Sequence, residues 1–236
     1  MSTQLGLGMR LRDSSVFASF YAGRNQPVVD ALRSIRAGES PTCVFVQATA
    51  RTGKTHLLQA MCADAGGESA AYLPLRDLLA TGPEMLAGCG ELDRVCVDDI
   101  ELIAHRADWQ RAMFALHQQL DERQRHLIVA SVHVPANTGI ELADLRSRLG
   151  GGLVLSLHPL DEDEQIAALQ LRSKLRGFEL PDETALFLLR RLPRDMTTLC
   201  DFLDRIDEAS IAAQRQCVTV PFVSKLLEQQ PISIKS

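Results

Sequence analysis

The chain of 236 residues has room for one large domain, or a large one with a smaller companion. Hydrophobic residues make up 46% and charged residues 23%, as in a globular chain; no run approaches the roughly 20 apolar residues of a membrane helix, and no secretory signal opens the sequence. A net charge of −5 without a Lys/Arg block argues against strong direct DNA binding.

In chain order, residues 1–12 show no packing period, and Gly6 and Gly8 oppose a helix, so a flexible tail is expected. Phe17, Phe20 and Tyr21 fall close together, and 26–37 reads as a helix that stops near Gly38. Strands are predicted at 43–47, 70–73, 94–97, 127–131 and 153–157, with helical patterns at 54–64, 75–80, 84–88 and 108–123. This alternation predicts an α/β domain over 13–157, with a parallel sheet and helices on both faces. After Pro159 the pattern becomes all-helical. Asp161 to Glu164 opens a helix that ends at Gly177, and Pro181-Asp182 starts a second. A third spans 195–213, and a short fourth 222–227 follows Pro221, giving a small helical domain over 158–236.

Two motifs carry chemistry. Gly53-Lys54-Thr55 lies between the strand at 43–47 and the helix at 54–64, the setting in which main-chain N–H groups wrap phosphates at a helix N-terminus. Lys54 is the candidate for the outer phosphates and Thr55 for Mg²⁺; Ala48 stands where the full pattern has its first glycine, and Arg51, Thr52, Gly53 and His56 complete the candidate loop. The second motif is the apolar strand from Arg94 that ends in Asp98-Asp99. Asp98 is expected to reach Mg²⁺ through its water shell, and Asp99 to orient or deprotonate the attacking water. A strand end followed by a turn also favours Asp, but the pairing of the two motifs favours a nucleotide site. The six cysteines and six histidines show no CxxC, HExxH or clustered spacing, so free thiols in a reducing cytosol are expected and no metal site of protein ligands alone.

These motifs, followed by a four-helix lid, resemble an AAA+ ATPase, and further residues narrow the resemblance to the DnaA family. Phe17, Phe20, Gly23 and Asn25 have the F-x-x-F-x-x-G-x-N spacing that lies beside the adenine in that family. Leu145 to Leu149 resembles its L-x-S-R box, which makes Arg148 a finger directed at a neighbouring subunit's nucleotide; Arg194 resembles the lid's sensor 2 arginine. The chain ends about where the lid ends, and the stretches 169–181 and 209–215 look like the Hda branch, short DnaA homologues that switch DnaA off. Gln4, Leu5, Leu7 and Met9 resemble the peptide with which that branch grips the replication sliding clamp, one amide and spaced aliphatics on an extendable segment.

The resemblance implies bound ADP or ATP with Mg²⁺ and two partners, DnaA and the β subunit sliding clamp of DNA polymerase III, in a cytoplasmic, replisome-associated protein; a homodimer or larger oligomer stays open. Ala48, in place of the first loop glycine, and Val132, which stands where the family carries a sensor 1 acid and cannot polarise water, together imply weak hydrolysis of the chain's own nucleotide. The alternative is an autonomous AAA+ ATPase of helicase-loader or initiator type. Other roles are open to the same residues: a surface ion pair for Arg148, pairing of Arg194 with Asp195 or Asp201, core packing for the aromatic cluster, and structural or solvent-facing places for His56 and His133.

Overall fold

The structure, a computed structural model, describes residues 15–35, 41–213 and 217–229. The predicted tail 1–12, with Gln4, Leu5, Leu7 and Met9, and the expected helix stop near Gly38 lie outside the described residues. Two 3-10 turns, Phe17–Ser19 and Gly23–Asn25, precede α1 (Gln26–Ser34), β1 (Cys43–Gln47), α2 (Lys54–Ala63), β2 (Ala70–Pro74) and α3 (Leu75–Leu78). Next come β3 (Arg94–Asp98), α4 (Ala107–Glu122), β4 (His126–Ser131), α5 (Ala143–Gly151) and β5 (Leu153–Ser156). Four helices follow: α6 (Glu162–Leu175), α7 (Asp182–Arg191), α8 (Met196–Ala212) and α9 (Val220–Gln229).

The strands form one parallel sheet in the order β2-β3-β4-β1-β5. Parallel neighbours need crossover connections, and the intervening helices supply them. Because side chains alternate across a strand, Cys43, Phe45, Val95, Val97, Leu127 and Val129 share a core with Trp109, Met113, Leu116 and Leu120 of α4 and Leu145 and Leu149 of α5. The alternating Val44, Val46, Cys96, Ile128 and Ala130 are also buried, and α2 packs over β2, β3 and β4. Both faces are therefore covered, which is why these strands read as continuous apolar runs. The loops after β1, β3 and β4 leave the same carboxyl-end edge of the sheet, where ligands of open α/β sheets bind.

The chain divides into two compact units. One holds the sheet and its helices; the other runs from His158 onward and also takes in residues 21–26 and 49–53. The second has its own core, built from Leu169 of α6, Leu188 and Leu189 of α7, Leu199, Phe202, Leu203 and Ile206 of α8 and Val223 of α9. Asp161 caps α6: its carboxylate accepts from the Glu164 N–H at 3.0 Å, and the Glu164 side chain accepts from the Asp161 N–H at 3.1 Å.

Several expected elements differ. The helix expected at 84–88 is a 3-10 turn, Pro83–Leu86, bracketed by Gly82 and Gly88 at φ +106° and +85°, angles that no α-helix continues through. The 75–80 pattern shortens to one helical turn, and the fourth lid helix lengthens to 220–229, with Pro221 in its first turn, where its missing N–H costs nothing. Helix α5 was not anticipated: its turn is carried by Leu145 and Leu149 alone, and the glycines at 150 and 151 lie inside it. The backbone comes closest at Gly152, where an added Cβ would overlap the Cys43 carbonyl oxygen.

Candidate functional site

In the first unit the two motifs meet at the start of α2. Lys54 is buried, and its Nζ donates to the Ala48 carbonyl at 2.9 Å. Thr55 Oγ1 donates to Asp98 Oδ2 at 2.6 Å, and the Tyr72 hydroxyl donates to the same oxygen at 3.0 Å. Burial pushes the Asp98 carboxyl up from its ordinary value, against the hydrogen bond from Thr55. Burial lowers Lys54, and Asp98, Glu101 and Asp99 act in the opposite sense. A hydroxyl and a buried carboxylate converging beside a lysine fit a hydrated Mg²⁺ with its phosphates, because oxygen ligands suit that ion and the ion would offset the buried charge. Among the described residues no group of His, Cys, Asp or Glu could hold a metal by itself.

The loop that leads into Lys54 turns at Arg51 (φ +62°) and Gly53 (φ +107°). Gly53 is required there, since side chains rarely adopt that angle. Ala48 has no such angle, so its methyl imposes no backbone strain, and its N–H donates to the Ser131 carbonyl at 3.1 Å. Asp99 also has positive φ (+59°), and its carboxylate is ion-paired with Arg76 at 3.2 Å. Val132 is half-buried, without a polar group to offer. His56 serves the entry segment: its Nε2 lies 3.0 Å from the Val16 carbonyl, and its ring tilts against Phe20 at 5.4 Å. Phe17 is buried under the Arg33 guanidinium, which lies 5.0 Å from the ring centre.

Within the second unit Gly23 turns at φ +47°, and a Cβ there would run into Glu164. Arg24 binds Asp161 and Glu164 at the α6 cap. The Asn25 amide donates to the His158 carbonyl at 3.0 Å and accepts from the His158 N–H at 2.8 Å. Asn25 thus clasps the first residue after the sheet unit, a backbone role that motif spacing did not reveal. In the phosphate loop, Thr52 Oγ1 donates to the Thr49 carbonyl at 2.9 Å, and Arg51 pairs with Asp195 at 2.9 Å. Arg194 pairs with Glu162 at 3.0 Å rather than with Asp195 or Asp201, because Asp195 caps α8 through the Thr198 N–H.

Arg148 lies on α5 and is exposed. It makes no hydrogen bond or ion pair among the described residues, whereas Arg146 two positions earlier donates to the Ile140 carbonyl at 2.9 Å. A groove of about 860 Å³ opens beside it, lined among others by Thr42, Phe114, His117, Asp121 and Asp144. His117 is buried there, and its Nδ1 has no hydrogen-bond partner among the described residues. Burial lowers the His117 pKa, Asp121 opposes that shift and Arg148 adds to it. Nothing local in the sequence singles out His117, which reaches this place through the packing of α4 against α5.

Residues 161–227 match the family described as Hda, lid domain. The chain is similar in structure to domain III of the replication initiation protein DnaA from Thermotoga maritima (TM-score 0.72, 19% identity, covering 92% of this chain and 97% of that one). It is also similar to AMPPCP-bound DnaA from Aquifex aeolicus (TM-score 0.66, 22% identity, 84% of this chain and 66% of that one). A third likeness is to the Thermotoga maritima RuvB Holliday junction branch migration motor (TM-score 0.61, 18% identity, 86% and 69%). With the parallel sheet, the helical second unit and the lid match together, the chain has the fold of DnaA domain III, and its residues 161–227 match the Hda lid domain.

Proposed function

We propose that this protein restrains replication initiation: it holds ADP or ATP with Mg²⁺, docks on the sliding clamp of DNA polymerase III, and presents Arg148 to ATP bound on DnaA. The observation that carries this reading is Arg148 itself, an exposed cation that makes no hydrogen bond or ion pair among the described residues and lies beside an open groove, in a chain whose second unit matches the Hda lid. A guanidinium at a transferring phosphoryl group stabilises the charge that develops there, and alanine cannot replace it.

The nucleotide of this chain would be held by Lys54, Thr55 and Asp98, with Arg51, Thr52 and Gly53 shaping the loop and Arg194 on the lid side. AMPPCP occupies a DnaA of similar fold. Bound Mg²⁺ would supply charge neutralisation to the phosphates, while Lys54 binds them and a carboxylate beyond Asp98 orients water. Val132 leaves that shell incomplete, so the chain is at most a slow ATPase and acts mainly on its partner's nucleotide. Docking on the clamp rests on Gln4, Leu5, Leu7 and Met9 and confines the activity to replicating DNA.

Phosphate release from DnaA-bound ATP, measured with clamp, DNA and either this protein or its Arg148→Ala variant, tests the finger. Loss of about 10³-fold or more of the stimulation is expected, with folding and nucleotide affinity unchanged. Equal release with both proteins rejects the assignment. The tail is tested separately: Gln4→Ala should abolish clamp binding at unaltered melting temperature, and retention of full clamp affinity by a chain starting at Asp13 would refute it.

A further inference from the structure

The carboxyl edge of β4 carries a polar pair that the Walker motifs leave unused. Ser131 is fully buried and lies between the two motif strands, because β4 sits between β3 and β1 in the sheet. Its carbonyl accepts from the N–H of Ala48, the first residue of the phosphate loop, and its hydroxyl donates to Glu101 Oε2 at 2.8 Å. The same hydroxyl accepts from the His133 N–H at 3.0 Å, so its one proton is directed at Glu101. Glu101 lies on the 3-10 turn that follows Asp98-Asp99, near enough to act on Lys54 together with those two carboxylates.

The two carboxylates expected to serve the reaction are otherwise engaged. Asp98 is held by Thr55 and Tyr72, and the Asp99 carboxylate is taken up by its ion pair with Arg76. Glu101 instead meets a neutral hydroxyl, which fixes its direction without cancelling its charge. We propose that Glu101, aimed by Ser131, is the carboxylate that orients and deprotonates water for hydrolysis of the nucleotide held by this chain, and that the pair takes the polar role Val132 leaves empty. The inference rests on the nucleotide-binding reading above and deepens it. In the step assigned to it, the water oxygen bonds to the terminal phosphorus. The bridging P–O bond breaks with its electron pair leaving on ADP, and Glu101 takes the water's proton before it passes to solvent.

The full chain, loaded with Mg-ATP, allows affinity and single-turnover hydrolysis to be measured apart. Glu101→Gln keeps an acceptor for Ser131 and removes the base, so affinity should stay within about 3-fold while the rate constant falls about 10²-fold. Ser131→Ala should lower the rate about 10-fold at unchanged affinity, and Ser131→Thr, which keeps the hydroxyl, should restore it. A role confined to folding would move melting temperature and affinity and would not show this split. Tight ATP binding with equal rates in the unmodified chain and Glu101→Gln, or with no turnover above background in the unmodified chain, overturns the inference and leaves nucleotide binding standing. Failure of the unmodified chain to bind ATP overturns both.

Discussion

Asp98 sits almost out of solvent with two hydroxyls, Thr55 and Tyr72, donating to one of its oxygens and the Asp99 N–H donating to the other at 3.1 Å. Burial raises its pKa in the fold, so the fold disfavours the ionised form. The sign follows by linkage: stability contributed by this group is fully present below the unfolded pKa and is lost as pH rises through the raised folded value. In Asp98→Asn the amide oxygen can keep the Asp99 N–H, and the two hydroxyls can rotate to accept from the amide nitrogen. This variant should melt about 2–4 °C higher at neutral pH, the shift of roughly 1 kcal/mol in a chain of this size. The gain should shrink on acidification, while Mg²⁺-dependent nucleotide affinity falls. Thermal melts across pH with and without Mg-nucleotide check both arms, and a higher melting temperature at low pH alone would contradict the assignment. Such an exchange of stability for function is common where a charge is kept buried for a ligand.

At the scale of elements, α5 and the entry to β5 set the place of Arg148. Gly151 lies in the helix with open space around its α-carbon, whereas an added Cβ at Gly152 would overlap backbone of Cys43 on β1. Gly151→Ala should therefore stabilise by about 0.5–1 kcal/mol, the gain of alanine over glycine in a helix. Gly152→Ala should destabilise by about 1–3 kcal/mol, because the atom it meets is backbone and cannot rotate aside. Urea midpoints of the two variants decide it, and equal effects would refute the distinction. The sequence exposed the strands because both sheet faces are covered and the middle of each inner strand is a continuous apolar run, as in Val44-Phe45-Val46. It hid α5 because only Leu145 and Leu149 mark a buried stripe, too few to show a helical period. Lys54, Thr55 and Asp98 were legible because their spacing to a strand and a helix is local. The clasp of Asn25 on His158, the place of His117 and the Ser131–Glu101 pair were not, since their partners are brought together only by the fold: 133 residues apart for Asn25 and 30 for Ser131.

Across the whole molecule the chain passes between its two units more than once, since residues 21–26 and 49–53 belong with the helical unit while 27–48 and 54–157 belong with the sheet. The phosphate loop is therefore divided: Arg51 and Gly53 fall in one unit, Lys54 and Thr55 in the other. A ligand held at Lys54 and Thr55 stabilises more than the segment it touches, because it binds only the folded chain. Binding to the folded state alone adds about 2.7 kcal/mol when free ligand is a hundredfold above its Kd. At roughly 2–4 °C per kcal/mol, Mg-ADP or Mg-ATP should raise the melting temperature by about 5–10 °C. Lys54→Ala removes the cation from the loop and leaves the Ala48 carbonyl without its ammonium donor, so this variant should lose most of the nucleotide-dependent shift. Its melting temperature without nucleotide should change less, because a lysine held against its own desolvation contributes little net stability to the free fold. Melts of both proteins over a nucleotide titration give the answer. An undiminished shift in Lys54→Ala would place the nucleotide away from the loop at the start of α2.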